Sequence, residues 1–217
     1  MLELALKSLS AYGLGSLMGA LLLGGLCGVD IRTLGSGNAG GTNALRTQGP
    51  RFALGVVLID VSKGWLAAGA VPFWSIPGVV NDPTVPRDAV MYACAAAATL
   101  GHVYPVWWDF RGGKGAATLI GVLLGAAPFA VPAVIGVWLS AVLLSGYVGL
   151  STMCAIAALP AIFWVGAVRT PIALSFAGAM ALFVVYTHRA NIRRMWSGTE
   201  PRAARLWLWT YVGSRRS

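Results

Sequence analysis

The chain has 217 residues, of which 57% are hydrophobic and only 11% charged, with a mean hydropathy of +0.73. A water-soluble fold of this size could not bury that much apolar surface, and the continuous rather than alternating apolar runs exclude a transmembrane barrel. The net charge of +9 is uneven: seven arginines lie between Arg189 and Arg216, opposed only by Glu200, a pattern that after an apolar helix reads as a cytoplasmic end on anionic lipid rather than a nucleic-acid arm.

The first apolar run, Leu4–Val29, lacks a basic leader region and an A-x-A cleavage site, so it is expected to be a retained span. It opens onto "GSGNAGGTNALR", Gly35 to Arg46. Gly35-x-Gly37-x-x-Gly40 has the letters of a dinucleotide fingerprint, but an apolar helix precedes it where that fingerprint needs a strand. Two readings remain: a flexible loop, or a nest of backbone N–H groups around a phosphate. The second accounts for Ser36, Asn38, Thr42, Asn43 and Arg46 standing together.

The second run, Phe52–Trp74, is interrupted by "DVSKG", which puts Asp60 and Lys63 one helical turn apart. Ionisable residues within a span are usually functional, although a self-neutralising pair facing the bundle interior is a serious alternative. The third run, Ala89–Trp108, leads into "GHVYPVWWDFRGGKGAAT". There Gly112, Gly113, Lys114 and Gly115 open an apolar helix, which makes an anion cradle. It is not a P-loop, because Trp108 and Gly115 stand where that motif requires Gly and Ser or Thr. Tyr104, Trp107 and Trp108 read as interfacial aromatics, and His102 reads equally as a structural or a functional histidine.

Residues Ala116 to Tyr186 are expected to make four passes, punctuated by Pro128, Pro132, Pro160 and Pro171, with "LSGYVGLST" (Leu144–Thr152) as a polar turn. The last cluster is "THRANIRRMWSGTE". On one continuous helix His188, Asn191 and Met195 would share a face, while Arg193 and Arg194 read as anchors. Cys27, Cys94 and Cys154 lie in apolar runs without metal-like spacing.

Basic residues crowd the first and third connections, and "SIPGVVNDPTVPRD" between the second and third runs does not share the excess. The expected architecture is therefore an all-α integral membrane bundle of about seven transmembrane helices, some short, with five as the alternative count. The N-terminus is expected outside and the C-terminus in the cytoplasm. A single domain, 1–217, would end in a basic tail, 189–217, and no internal repeat is visible.

The four clusters, in this order, resemble the PlsY family of bacterial acyl-phosphate:glycerol-3-phosphate acyltransferases, from about Leu17 to Arg202. The resemblance implies a multi-pass enzyme of the bacterial inner membrane with its active site facing the cytoplasm. It implies transfer of a fatty acyl group from acyl phosphate to the 1-hydroxyl of glycerol 3-phosphate. The products would be lysophosphatidic acid and phosphate, in the first step of phospholipid synthesis. Membrane lipid and the soluble enzyme that makes acyl phosphate are the implied partners, and no nucleic acid is expected. Two departures stand out: Gly41 replaces an alanine, and Gly146 and Gly149 lie near an expected Arg and Ser, where Ser151 or Thr152 would have to substitute.

On this resemblance Ser36, Asn38, Gly112, Gly113 and Gly115 hold the acyl phosphate, and Arg46, Lys63 and Asn191 hold glycerol 3-phosphate. Asn43, His102 and Ser151 are further substrate contacts. Lys114 bridges the two phosphates, and His188 orients or deprotonates the attacking hydroxyl, with the donor phosphate as the alternative base. Ser36, Lys114, His188 and Asn191 form the expected catalytic group. An acyl phosphate is already activated, so neither a covalent nucleophile nor a cofactor is expected, and no carboxylate cluster calls for a metal. The rival reading is a transporter or channel for an anionic phosphorylated metabolite, which usually shows paired repeats and a mid-membrane site.

Overall fold

The computed structural model describes residues 1–166, 168–204 and 206–208, and every regular element among them is helical. The chain forms two compact units, residues 1–128 and residues from 129 onward. The first holds α1 (Leu2–Gly15), α2 (Gly19–Leu26), α3 (Gly41–Gln48), α4 (Pro50–Gly69), α5 (Arg87–Val103) and α6 (Ala116–Ala126). The second holds α7 (Ala130–Ser145), α8 (Val148–Ala157), α9 (Leu159–Val165), α10 (Pro171–Thr187) and α11 (Arg189–Trp196).

Prolines mark the starts, as their fixed φ and missing N–H dictate. Pro50 begins α4 and Pro171 begins α10, where the Thr170 hydroxyl caps the Ala173 N–H at 3.2 Å. Gly146, in the left-handed region at φ 75°, ends α7 and makes the turn expected in "LSGYVGLST".

The first apolar run is a broken helix: α1 and α2 meet at 44° across Ser16–Met18. The break frees a carbonyl and an amide within an apolar environment, and both find partners on α4. Lys63 Nζ donates to the Leu17 carbonyl at 2.9 Å, and the Gly19 N–H donates to Asp60 Oδ1 at 3.2 Å.

Glycine lets the helices of the first unit meet backbone to backbone. A Cβ on Gly121 would lie 1.9 Å from the Val61 carbonyl oxygen, and one on Gly64 would lie 2.2 Å from that of Thr118. The crossing of α1 and α5 is as close, with Gly15 against Ala98 and Gly101 against Tyr12. Small residues give this approach where lipid supplies no hydrophobic drive between helices.

The unit has two distinct ends. At one, buried Glu3 accepts from Lys7 at 2.7 Å, from Arg87 at 2.5 Å and from the Asp82 N–H at 3.0 Å, while Lys7 also donates to the Pro72 carbonyl at 2.7 Å. This network ties the start of α1 to the α4–α5 connection. At the other end Arg32 donates to the Trp108 carbonyl at 3.2 Å and joins the α2–α3 and α5–α6 connections. The second and third runs of the sequence become α4 and α5. In the second unit Trp138 Nε1 on α7 donates to Thr152 Oγ1 on α8 at 3.2 Å.

Among the described residues three stretches are long and apolar enough to cross a membrane: Pro50–Phe73, Arg87–Trp108 and Val148–Val165. The bent pairs α1–α2 and α10–α11 bring the count to five, and α6 and α7 are shorter apolar helices. Of the basic tail, residues 189–196 are helical, and the part beyond Leu208 lies outside the described residues, as does Arg205.

Candidate active site

The polar stretch after the first run is half loop and half helix. Gly35 and Gly37 take positive φ, and the chain then winds into α3 from Gly41. Arg46 therefore stands exposed on the last turn of a helix rather than on a loop. Gly35 is required twice, by its φ of 57° and by space, since a Cβ there would lie 2.4 Å from Asn43 Oδ1. Asn43 itself is buried and holds the loop. Its Oδ1 accepts from the Ser36 N–H at 3.0 Å, and its Nδ2 donates to the Ile31 and Leu34 carbonyls at 3.2 and 3.0 Å. The Asn43 amide thus closes the loop from within and is not presented to a substrate. Exposed Ser36 sits at the tip, and Asn38 lies beside Gly40, the backbone cap of α3. No side chain caps α3.

The second glycine cluster closes onto the end of α5. The Gly112 N–H donates to the Val103 carbonyl at 3.2 Å and the Gly113 N–H to the His102 carbonyl at 3.1 Å. These two glycines do not offer their amides to a phosphate, contrary to expectation; they shape the loop instead. Gly115, at φ 89°, turns the chain into α6, which also starts without a side-chain cap. The part of the expected anion cradle that keeps a helix start is the first turn of α6, preceded by Lys114. Before it, Asp109 and Phe110 both sit in the left-handed region, at φ 55° and 56°, held by Phe110 N–H to Pro105 and Arg111 N–H to Trp108 carbonyls at 3.0 and 3.1 Å. Such a conformation costs about 1–2 kcal/mol per non-glycine residue and gathers at functional loops.

His102 is buried at the end of α5, with Nδ1 3.0 Å from Thr118 Oγ1 and 3.5 Å from Asp60 Oδ1. Lys63 Nζ pairs with Asp60 at 2.9 Å, donates to Leu17, and touches Met18 Sδ at 3.8 Å. Both members of the pair are buried, so "DVSKG" takes the interior, self-neutralising form, and Lys63 braces the broken first helix instead of reaching a substrate. Outside the spans, the Arg32 guanidinium bonds Asp30 and holds its carboxyl below the usual carboxylate range.

In the second unit the helix breaks at His188, with α10 and α11 meeting at 52°. The shared helical face expected for His188, Asn191 and Met195 is therefore interrupted at its first member. His188 Nδ1 faces the Val184 carbonyl at 2.8 Å; a carbonyl only accepts, so Nδ1 carries a proton, and in the neutral ring Nε2 is the acceptor. Asn191 Nδ2 donates to Glu200 Oε1 at 2.7 Å, and Arg194 Nε donates to Glu200 Oε2 at 2.6 Å. Gly149 packs on Asn191, where a Cβ would lie 2.7 Å from Nδ2. Ser151 is fully buried and its hydroxyl turns back to the Tyr147 carbonyl at 2.8 Å, so it does not stand in for the absent serine. Glu200, which sequence reasoning treated only as a lone counter-charge, fixes both Asn191 and Arg194. Glu200→Gln should therefore lower thermal stability by several degrees and activity by about tenfold, measured by melting in detergent and by initial rates.

Glycine-led helix starts and cationic side chains share two polar clusters of an apolar helical bundle, the pattern expected of an integral membrane enzyme that handles phosphorylated substrates. A family profile described as glycerol-3-phosphate acyltransferase matches residues 5–198. The glycerol-3-phosphate acyltransferase of Sinorhizobium fredii is 42% identical over 193 residues, covering 88% of each chain. That of Chlorobaculum tepidum is 38% identical over 218 residues, covering 88% of this chain and 93% of its own. The crystal structure of PlsY, an integral membrane glycerol 3-phosphate acyltransferase, in its glycerol 3-phosphate form superposes with a TM-score of 0.80 at 33% identity, over 92% of this chain and 94% of that one. Its lysophosphatidic acid form gives 0.78 at 32% identity. The chain belongs to the PlsY family of glycerol-3-phosphate acyltransferases.

Proposed function

We propose that the acyl donor is an acyl phosphate and that the acyl group passes to the 1-hydroxyl of glycerol 3-phosphate. The observation that carries this reading is that two glycine-led helix starts of the first unit, α3 after Gly40 and α6 after Gly115, lie in the polar clusters that carry Arg46 and Lys114. A donor and an acceptor that both bear phosphate need two such anion sites. The alternative of a transporter has no comparable support now that the family is known.

The reaction needs no covalent intermediate. The hydroxyl oxygen attacks the acyl carbonyl carbon and forms the ester bond. The bond from that carbon to the bridging phosphate oxygen breaks, and phosphate leaves with the electron pair. The hydroxyl proton passes to His188 Nε2 or to the departing phosphate. Ser36, Asn38 and the α6 start with Gly115 and Lys114 hold the donor, while Arg46 and Asn191 hold the acceptor. Asn43, Lys63, Gly112 and Gly113 serve as braces, with His102 set against the loop. Positioning of this kind supplies roughly 7–11 kcal/mol of a barrier, and cations with amides stabilise the developing oxyanion.

Seven membrane-crossing segments fit the helices if α1–α2, α8–α9 and α10–α11 each count as one beside α4, α5, α6 and α7. In a bacterial inner membrane the end bearing Arg32 and Trp108 faces the cytoplasm, where a soluble enzyme supplies acyl phosphate. With the exposed Cys27 and Cys154 removed, a cysteine at Ser75 should be labelled from outside the cell and one at Thr33 only after permeabilisation. Labelling of both from one side overturns this topology.

Purified protein should make lysophosphatidic acid from acyl phosphate and glycerol 3-phosphate with chelator present and no added metal. Among the described residues no three His, Cys, Asp or Glu side chains gather to hold a metal ion. Activity with acyl phosphate that vanishes in chelator and returns with magnesium would sink the metal-free scheme.

A further inference from the structure

Asp60 has no part in the scheme above, yet it is the meeting point of the first unit. Its Oδ1 faces three donors from three places: Lys63 Nζ at 2.9 Å on α4, the Gly19 N–H at 3.2 Å at the broken first helix, and His102 Nδ1 at 3.5 Å at the end of α5. Its Oδ2 has no hydrogen-bond partner among the described residues, although the side chain is 1% exposed. A buried carboxylate with an idle oxygen is a poor stabiliser. Apolar residues of similar volume usually serve stability as well as a buried ion pair or better. The arrangement points to geometry as what Asp60 provides.

That geometry leads to the phosphate loop. His102 Nδ1 lies between Asp60 and the Thr118 hydroxyl of α6, so the carboxylate favours the tautomer with its proton on Nδ1. The opposite nitrogen, Nε2, then lies against the backbone of Gly113, close enough that a Cβ there would sit 2.2 Å away. The same residue's carbonyl takes the Gly113 N–H at 3.1 Å. The loop is therefore held from the ring and from the backbone of one histidine, and that ring is aimed by Asp60. We propose that Asp60 is a positioning residue for the Gly112–Gly115 loop, holding Lys114 and the start of α6 in register for the acyl-phosphate group through the His102 ring. The proposal rests on the reading that this loop takes the donor.

The test is steady-state kinetics on detergent-purified full-length protein, varying acyl phosphate and glycerol 3-phosphate in turn. Asp60→Asn leaves Lys63 buried without a counter-charge and is prone to misfold, so the deciding variant is Asp60→Asn with Lys63→Met, which strands no charge. A misplaced donor loop should raise KM for acyl phosphate about tenfold or more, with KM for glycerol 3-phosphate within about threefold. Adding His102→Gln should cost little further, because both changes cut the same line of contact. Unchanged constants for both substrates, or a uniform fall in kcat with both KM values and the melting temperature shifted together, overturns the proposal. So does failure of the charge-neutral pair to fold, which assigns Asp60 to the fold alone. Turnover of acyl phosphate by the wild type tests the donor assignment independently, so the two failures are told apart.

Discussion

Lys114→Ala and Arg46→Ala should each lower turnover by about 10²–10³-fold while the protein inserts and purifies like the wild type. Arg46 is exposed on the last turn of α3, and half-buried Lys114 follows the close-packed Gly113 at the mouth of α6. In the proposed scheme each change removes a cation that faces a substrate phosphate. A charge-assisted hydrogen bond is worth roughly 1.5–3 kcal/mol in the ground state, and more if it strengthens in the transition state. Arg46→Lys should recover only part of the loss, because one ammonium cannot reproduce a bidentate fork. Arg169→Ala makes the control, since that exposed guanidinium stacks on Trp164 at 5.2 Å. It should leave initial rates within about twofold. If Arg46→Ala and Lys114→Ala also stay within a few-fold, the two residues only anchor the membrane boundary and the two-phosphate scheme is wrong.

Gly113→Ala should cost activity on the same scale by a different route. The new methyl would lie 2.2 Å from His102 Nε2, a separation that real contacts do not show. His102 has no simple retreat, because Thr118 and Asp60 hold its other nitrogen. The loop must move instead, and a shift of about 1 Å at a reacting centre is enough for a 10²-fold loss. Melting temperature should fall by only a few degrees, since the loop is a small part of the core. Gly25→Ala, on α2 with nothing within 4 Å of its Cβ position, separates this steric effect from any general intolerance of the first unit. Equal rates for Gly113→Ala and wild type would mean that the loop is looser than its packing implies.

Much of this was readable before any fold was known, and the parts that were not have physical reasons. Pro171 punctuates the second half of the sequence through its own backbone chemistry, and α10 begins at it, whereas α4 begins at Pro50, two residues ahead of the apolar run at Phe52. The bend after Gly15 does not announce itself. It is stabilised by Lys63 and Asp60, more than forty residues away, and local propensity contains no trace of that. For the same reason Lys63 reads equally as ligand or brace until the Leu17 carbonyl is seen beside it. Asn43 sits in a polar cluster, and only the fold shows that its amide is turned inward. Lys7 hides inside an apolar run; its spacing of four from Glu3 was the available signal for the network at the start of α1. Ser151 could be placed in a turn region by sequence, but not its hydroxyl, which bends back to its own helix.

The backbone-to-backbone crossings of the first unit also determine how this protein could be engineered. Replacing glycine with alanine inside a helix ordinarily stabilises by about 0.4–1 kcal/mol, because alanine has less freedom to lose on folding. That gain is available at Gly13, Gly136 and Gly178, each on a helix with nothing within 4 Å of the added methyl. At Gly121, Gly64, Gly15 and Gly101 the same methyl would enter a neighbouring carbonyl at 1.9–2.2 Å and force two helices apart. Thermostabilising libraries should therefore fall into two sharply separated groups at glycine, sorted by the distance to the facing backbone rather than by helix propensity.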